Sequence, residues 1–403
     1  MMESKRPETI VIHADAPLQS TSAVAPPIFQ TSTFKAQTDD EYVRLATEAR
    51  NDRFYTRYGN PNHSQAAAVV AQLEGTQDAL IFPSGMAALS GAVMAFCRNG
   101  DHVIAQQHMY AGTHKLLEDI LRPLGVECTF VDQTNLAEFA RALCDRTRLV
   151  MVETPSNPLM KITDLQAVAD LAREHGAATL ADNTFATPIN QRPLDFGIDI
   201  AMHSATKYLG GHSDVSAGVL AGRSDVIERI WPYGVKLGFA TNAFDSWLLL
   251  RGLRTLALRV ERQSHNAQAI AAFLASRPQI SAVHYPGLKS HAQHELAARQ
   301  MRRFGGMLSF ELAGTSDRVE PFIRGLSLIT RATSLGGVES TLVHQSAMWR
   351  SLMNDEQLKA AGISPTLIRL STGIEHIDDL LDDLGRALGT RGEARLAQTN
   401  VRL

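Results

Sequence analysis

The chain has 403 residues, 44% hydrophobic and 20% charged, with a formal net charge of −3. That length exceeds one ordinary core and predicts two domains, and the near-neutral charge argues against nucleic acid as the main partner. Cys97, Cys128 and Cys144 lack metal-ligand spacing and are odd in number, no apolar run reaches membrane-spanning length, and no apolar signal region follows the first residues, so the expectation is a cytoplasmic protein without a disulfide framework or a membrane partner.

Residues 1–60 read as an extended arm rich in prolines and hydroxyls, with a short helical stretch at 39–50. Near its end, Tyr55-Thr56-Arg57-Tyr58-Gly59-Asn60-Pro61 sets one guanidinium between two phenols in a loop. Such a loop can close on a phosphate through charge-assisted hydrogen bonds, although a surface arginine reads equally well from the loop alone. From 61 to 250, short apolar strands (102–104, 149–153, 179–182, 200–203 and 217–221) alternate with helical patterns (113–122 and 164–175). That alternation predicts an α/β fold with a mostly parallel sheet, helices on both faces, and ligands at the strands' carboxyl ends. A long helical pattern begins near Phe244. The remainder, 251–403, carries fewer strands (306–311 and 367–370) and an amphipathic helix at 377–388, which reads as a smaller α/β domain.

Three segments carry chemistry. At 78–92 a strand runs through Pro83-Ser84-Gly85 into an Ala-rich helix, so free N–H groups and a positive dipole end stand where a phosphate can bind. Asp182, at the carboxyl end of an apolar strand, precedes Lys207 by 25 residues. An acid there can keep a pyridine nitrogen protonated, and equally it can cap the following turn. Lys207 follows an apolar strand among hydroxyls, in Ser204-Ala205-Thr206-Lys207. Partial desolvation frees such an amine to attack a carbonyl, and Ser204 and Thr206, alternating on one strand face, can hold a phosphate. Together these suggest a pyridoxal phosphate site with Lys207 as the Schiff-base lysine; a snorkelling lysine at a strand end is the other reading. Arg369, inside the apolar strand Leu367–Leu370, needs a partner for its charge, either an internal acid or a ligand. His13, His108, His203, His212 and His344 show no ligand spacing and are read as structural, with no metal expected.

Ser84-Gly85-Met86, Tyr110-Ala111-Gly112-Thr113, Glu153-Thr154-Pro155-Ser156-Asn157-Pro158, Asp182-Asn183-Thr184 and Ser204-Ala205-Thr206-Lys207 together resemble the Cys/Met-metabolism pyridoxal phosphate enzymes of trans-sulfuration. The likeness runs from Val24 to Glu375. It implies a fold-type I enzyme in which Lys207 carries the cofactor and Asp182 meets its ring nitrogen. Ser84, Gly85, Met86, Thr184, Ser204 and Thr206 would surround the cofactor, with Tyr110 stacked on the ring and donating a proton to the leaving group. Asn157 would lie near the ring oxygen. Tyr55 and Arg57 would reach the phosphate of a neighbouring subunit, making a dimer the smallest catalytic unit within a homo-oligomer, expected as a tetramer. Arg369 would fork the substrate's α-carboxylate, opposite the segment of Ser334.

The resemblance also implies elimination or replacement at the γ-carbon of a sulfur amino acid or O-acylhomoserine, of cystathionine γ-lyase or γ-synthase type. Leu335 stands where β-lyases have tryptophan, Gly112 where methionine γ-lyases have cysteine, and Glu339 in a Gly-Gly-Val-Glu-Ser segment similar to the γ-acting enzymes. Ala111 and Trp349-Arg350 depart from the family pattern. Methionine γ-lyase, O-acylhomoserine sulfhydrylase and cystathionine β-lyase activities stay open, as do a fold-type I aminotransferase and a cofactor-free scaffold.

Overall fold

The protein is described by a computed structural model covering residues 5–350 and 354–389. The chain divides after Pro155, Ile162 and Leu258, so that residues 156–162 join the C-terminal unit. The division anticipated at 250 falls inside the helix Ala243–Leu253, whose Leu249, Leu250 and Leu253 are buried within the first unit.

The first unit is built on a seven-stranded sheet: β1 (Asp78–Phe82), β2 (His102–Gln106), β3 (Glu127–Val131), β4 (Thr147–Glu153), β5 (Ala178–Asp182), β6 (Ile200–His203) and β7 (Gly218–Gly222). Their order is β1-β7-β6-β5-β4-β2-β3. The run from β6 to β3 is parallel, and only β7 opposes its neighbours. Central strands such as β6 are buried at every position, as strands covered on both faces must be. On one face Ala88, Leu89 and Ala92 of the helix Gly85–Phe96 pack on Leu149, Met151, Leu180, Ile200 and Met202. On the other, Leu165, Val168, Ala169 and Ala172 of the helix Leu165–Glu174 cover Ile104, Val150, Val152 and Ala181. The parallel register aligns Glu153 with Asp182 and Asp182 with Met202, so the last residues of β4, β5 and β6 share one edge.

Two elements here differ from the sequence reading. A helix, Pro7–His13, lies within the region read as an arm; it buries Val11, and Arg254 donates to the Val11 carbonyl at 2.6 Å and pairs with Asp15 at 2.8 Å. Seven residues with two buried apolar positions are too few to show a helical period. The helix expected at 113–122 starts at Ala111 and widens into π-type turns over Leu116–Leu121.

The second unit holds a five-stranded sheet: β8 (Ile280–His284), β9 (Met307–Leu312), β10 (Thr330–Arg331), β11 (Thr341–His344) and β12 (Leu367–Ser371), in the order β10-β11-β12-β9-β8. All pairs but β10–β11 are antiparallel. Leu380, Leu381 and Leu384 of the helix Ile377–Ala387 pack on Leu308, Phe310, Ile368 and Leu370. The buried Asp383 on the same helix accepts N–H groups of Ser327, Leu328 and Ile329 at 2.8–3.0 Å, which explains an acid in an apolar core. No helix among the described residues is long and apolar enough to cross a membrane.

Candidate active site

In the first unit, β1 ends in a turn whose Ser84 caps the helix Gly85–Phe96, its side chain accepting the Ala87 N–H at 3.1 Å. The first-turn N–H groups of Gly85 and Met86 have no acceptor within the helix and carry the positive end of its dipole. Ser204 lies directly against this helix start. A Cβ on Gly85 would sit 2.9 Å from Ser204 Cβ and 3.0 Å from its Oγ, so only glycine lets the hydroxyl come this close. Two backbone donors and a hydroxyl thus meet at one point, a donor set suited to a phosphate.

Beside it stands the acid. Asp182 Oδ1 accepts the Thr184 N–H at 3.0 Å, and Thr184 Oγ1 accepts the Ser204 N–H at 2.8 Å, which ties the acid to the phosphate-side hydroxyl through one residue. Burial pushes the Asp182 carboxyl above its ordinary range, while the Thr184 hydrogen bonds and the charges of His203 and Lys207 pull it back down. A cation bonded to this acid would relieve the desolvation, and a protonated pyridine nitrogen is such a cation. Lys207 follows in a turn, its N–H bonded to the Ser204 carbonyl at 3.0 Å and its own carbonyl bonded by Gly211 at 2.7 Å. The acid, the amine and the phosphate-binding donors therefore fit pyridoxal phosphate.

Tyr110 caps the helix start at Ala111. Its backbone N–H is held at 2.7 Å by Glu153 Oε2, from the end of β4, while the residue is 49% exposed. The ring leans over Gly112: a Cβ there would lie 2.3 Å from Tyr110 Cε1 and 2.9 Å from Met86 Sδ. Met86 and Tyr110 are thereby brought together.

Two hydroxyls, those of Ser204 and Thr206, differ from expectation. β6 stops at His203, so Ser204 and Thr206 do not alternate on a strand but lie in the turn after it. The Thr206 hydroxyl is engaged by Ala217, accepting its N–H at 3.0 Å and donating to its carbonyl at 3.2 Å. Tyr55 and Arg57 form a group apart: the Arg57 guanidinium stacks over the Tyr55 and Tyr58 rings at 5.5 and 5.2 Å, and its hydrogen bond goes to the Val235 carbonyl at 3.5 Å rather than to Ser84 or Ser204.

Sequence reasoning missed a fully buried pair, Glu74 Oε1 to His203 Nε2 at 2.5 Å, joined by Asn183 and through it Gln191. The available signal was a carboxylate following the apolar stretch Ala66–Ala71 and Leu73 at the end of the helix Pro61–Glu74, since a buried charge demands a partner.

In the second unit, Arg369 of β12 is only 5% exposed. It donates to Asn157 Oδ1 at 2.9 Å and to the Ser334 carbonyl at 3.2 Å, both neutral acceptors. Asn157 lies in a turn closed by Met160 N–H to Ser156 carbonyl at 2.9 Å, and Ser334 adopts a left-handed backbone, φ 76°. Leu335 is buried and Glu339 exposed. The loop between them is held by Gln263, donating to the Gly337 carbonyl at 2.6 Å, and by Glu375, which accepts the Ser340 N–H at 2.6 Å. Among the scattered histidines, His108 meets Gln133, His212 the Gly210 carbonyl and His344 the Pro365 carbonyl. No group of three or more His, Cys, Asp or Glu side chains is placed to hold a metal among the described residues.

The chain is similar to known proteins along nearly its whole length. The family model described as Cys/Met metabolism PLP-dependent enzyme matches residues 8–389. A cystathionine gamma-lyase of Bacillus subtilis is 41% identical over 94% of this chain and 98% of that protein, and a cystathionine beta-lyase of Lactococcus lactis is 42% identical over the same shares. The crystal structure of a cystathionine gamma-synthase from Xanthomonas oryzae in complex with cystathionine superposes with a TM-score of 0.90 at 38% identity, covering 96% of this chain and 98% of that one. The chain therefore belongs to the Cys/Met-metabolism family of pyridoxal-phosphate-dependent enzymes.

Proposed function

We propose that this enzyme eliminates or replaces a substituent on the γ-carbon of a sulfur amino acid or an O-acylhomoserine. Pyridoxal phosphate supplies an electron sink for charge developing beside the substrate's amino group. The residues of the chain do the rest. Lys207 anchors the cofactor, and its Nζ moves the proton at the substrate's Cα. Asp182 holds the proton at the ring nitrogen. Gly85 and Met86 N–H groups with the Ser204 hydroxyl bind the phosphate, while Thr206 braces the Lys207 turn through Ala217. Arg369 binds the α-carboxylate, beside Ser334 and Asn157. Tyr110, anchored only through its backbone by Glu153, has a hydroxyl available to give a proton to the leaving atom.

The observation that carries the γ-reading is the buried Leu335, and the space at Gly112 narrows the choice among γ-acting enzymes. With Tyr110 and Met86 where they lie, a Cβ at 112 has no room, which argues against the cysteine expected of a methionine γ-lyase. Leu335, buried, gives an aliphatic surface where the β-lyase pattern has tryptophan. Tyr55 and Arg57 serve the phosphate of a neighbouring subunit in a homo-oligomer, a reading supported by their distance in bonding from Ser84 and Ser204 of their own chain.

Product analysis tests the reaction. Cystathionine or an O-acylhomoserine should release 2-oxobutanoate, or form a γ-replacement product when a thiol is present. Pyruvate as the main product from cystathionine marks β-cleavage and overturns the γ-assignment.

A further inference from the structure

Glu74, Asn183 and His203 are fully buried, and no step of the proposed reaction uses them. Glu74 Oε1 is engaged from two directions: it meets His203 Nε2 at 2.5 Å and accepts from Asn183 Nδ2 at 3.0 Å. His203 is the last residue of β6 and precedes Ser204, while Asn183 is the first residue after β5 and follows Asp182. One oxygen therefore ties the turn that carries the ring-nitrogen acid to the turn that carries the phosphate-side hydroxyl. This tie is separate from the one made by Thr184. The set also reaches the end of β4, because Gln191 donates to Asn183 Oδ1 at 3.1 Å and to the Thr154 carbonyl at 3.0 Å.

The way this carboxylate is bonded argues against a role in stability alone. A buried acid is costly unless its oxygens are hydrogen-bonded. Asp383 in the second unit meets that demand: its two oxygens accept the backbone N–H groups of Ser327, Leu328 and Ile329. Glu74 does not meet it. Neither Glu74 Oε2 nor His203 Nδ1 has a hydrogen-bond partner among the described residues, although both atoms are buried. An acid kept for the fold would be satisfied as Asp383 is. Glu74 is half satisfied, and its bonds go to the two turns that bear the site. Its own origin is fixed, since Ala66, Val69, Val70 and Leu73 bury the helix that ends in it.

We propose that Glu74 is a positioning residue of the cofactor site, holding Asp182 and Ser204 at the separation that lets one pyridoxal phosphate engage both, through its ring and its phosphate. The proposal rests on the cofactor-site reading above. Joining a ring to a phosphate multiplies affinity only where the protein presents both half-sites at the matching distance. Loosening the clamp therefore weakens the whole cofactor and spares its parts, whereas a disturbed fold weakens all of them.

The test measures binding of three probes to the full-length apoenzyme: pyridoxal phosphate, pyridoxal and inorganic phosphate. Glu74→Leu should weaken pyridoxal phosphate about tenfold to a hundredfold while changing the other two by less than about threefold. Glu74→Gln keeps an acceptor oxygen for Asn183 and His203 and should stay within about threefold of wild type for all three. If Glu74→Leu does not fold, Glu74→Leu combined with His203→Leu takes its place, because it strands neither member of the pair. Asp182→Asn removes a half-site itself and should weaken pyridoxal as well as pyridoxal phosphate. Equal losses for all three probes would make Glu74 a residue of the fold and overturn the proposal. So would an unchanged affinity for pyridoxal phosphate, or a Glu74→Gln as weak as Glu74→Leu. A wild-type apoenzyme that binds no pyridoxal phosphate refutes the cofactor site itself, and the clamp with it.

Discussion

Thr184 donates its backbone N–H to Asp182 Oδ1 at 3.0 Å while its hydroxyl accepts the Ser204 N–H at 2.8 Å, so one residue sets the spacing between acid and phosphate-side hydroxyl. The first prediction concerns that acid. Because burial raises the Asp182 carboxyl above its ordinary range, the folded apoenzyme binds a proton more tightly there than the unfolded chain does. By linkage, the contribution of Asp182 to stability falls as pH rises above the ordinary carboxylate range. Asp182→Asn, which still accepts the Thr184 N–H, should therefore make the apoenzyme more stable than wild type at pH 8, by roughly 1–3 kcal/mol, with the gap closing toward pH 4. The same variant should bind cofactor weakly. Denaturant unfolding of both apoenzymes at several pH values measures this, and a gap that does not change with pH defeats it.

Lys207 should be the cofactor's point of attachment. Borohydride reduction of the holoenzyme followed by peptide mapping should place the label on the peptide containing Lys207, and Lys207→Ala should take up none. Label on another lysine would remove the basis for its role.

The phosphate site should be shared between chains. Arg57→Ala and Lys207→Ala are each expected to be inactive alone. Mixed, dissociated and reassembled, they should recover activity, because one site per mixed dimer joins an intact arm to an intact lysine. Verified mixed dimers without activity would place Arg57 in the service of its own chain.

Some of the candidate site was legible because local chemistry announced it. Lys207 among hydroxyls, Asp182 closing an apolar strand and Arg369 inside another are residues whose types clash with their surroundings, and a clash of that kind is visible one segment at a time. β4, β5 and β6 were equally visible, being short apolar runs between helical patterns. Partnerships made by long-range folding were not. Glu74 and His203 meet across 129 residues, and no periodicity encodes that meeting. Ser204 and Thr206 looked equivalent by spacing, yet the chain turns at the end of β6. One hydroxyl therefore faces the Gly85 helix start and the other braces Ala217. In the second unit β8, β10 and β11 escaped notice because β10 is two residues long and β8 is only partly buried, so neither shows the apolar run or clean alternation that marks a strand.

Arg369 should recognise the substrate's α-carboxylate. The hydrogen bonds to Asn157 Oδ1 at 2.9 Å and to the Ser334 carbonyl at 3.2 Å orient the guanidinium fork that a substrate carboxylate would meet. Truncating one partner of a buried charged pair costs roughly 2–5 kcal/mol, which corresponds to a loss of about thirtyfold to several thousandfold in kcat/KM. Arg369→Ala should show that loss with cofactor absorbance unchanged. Arg369→Lys, which keeps the charge but not the fork, should fall between it and wild type. A sharper variant is Asn157→Asp, which sets a carboxylate where the amide oxygen now meets Arg369. It should compete with the substrate carboxylate for the guanidinium and raise KM for the amino-acid substrate while folding and cofactor binding persist. If Asn157→Asp leaves KM unchanged, or if Arg369→Ala and Arg369→Lys both lose cofactor and fold together, Arg369 is a structural cation of β12 and the carboxylate is held elsewhere.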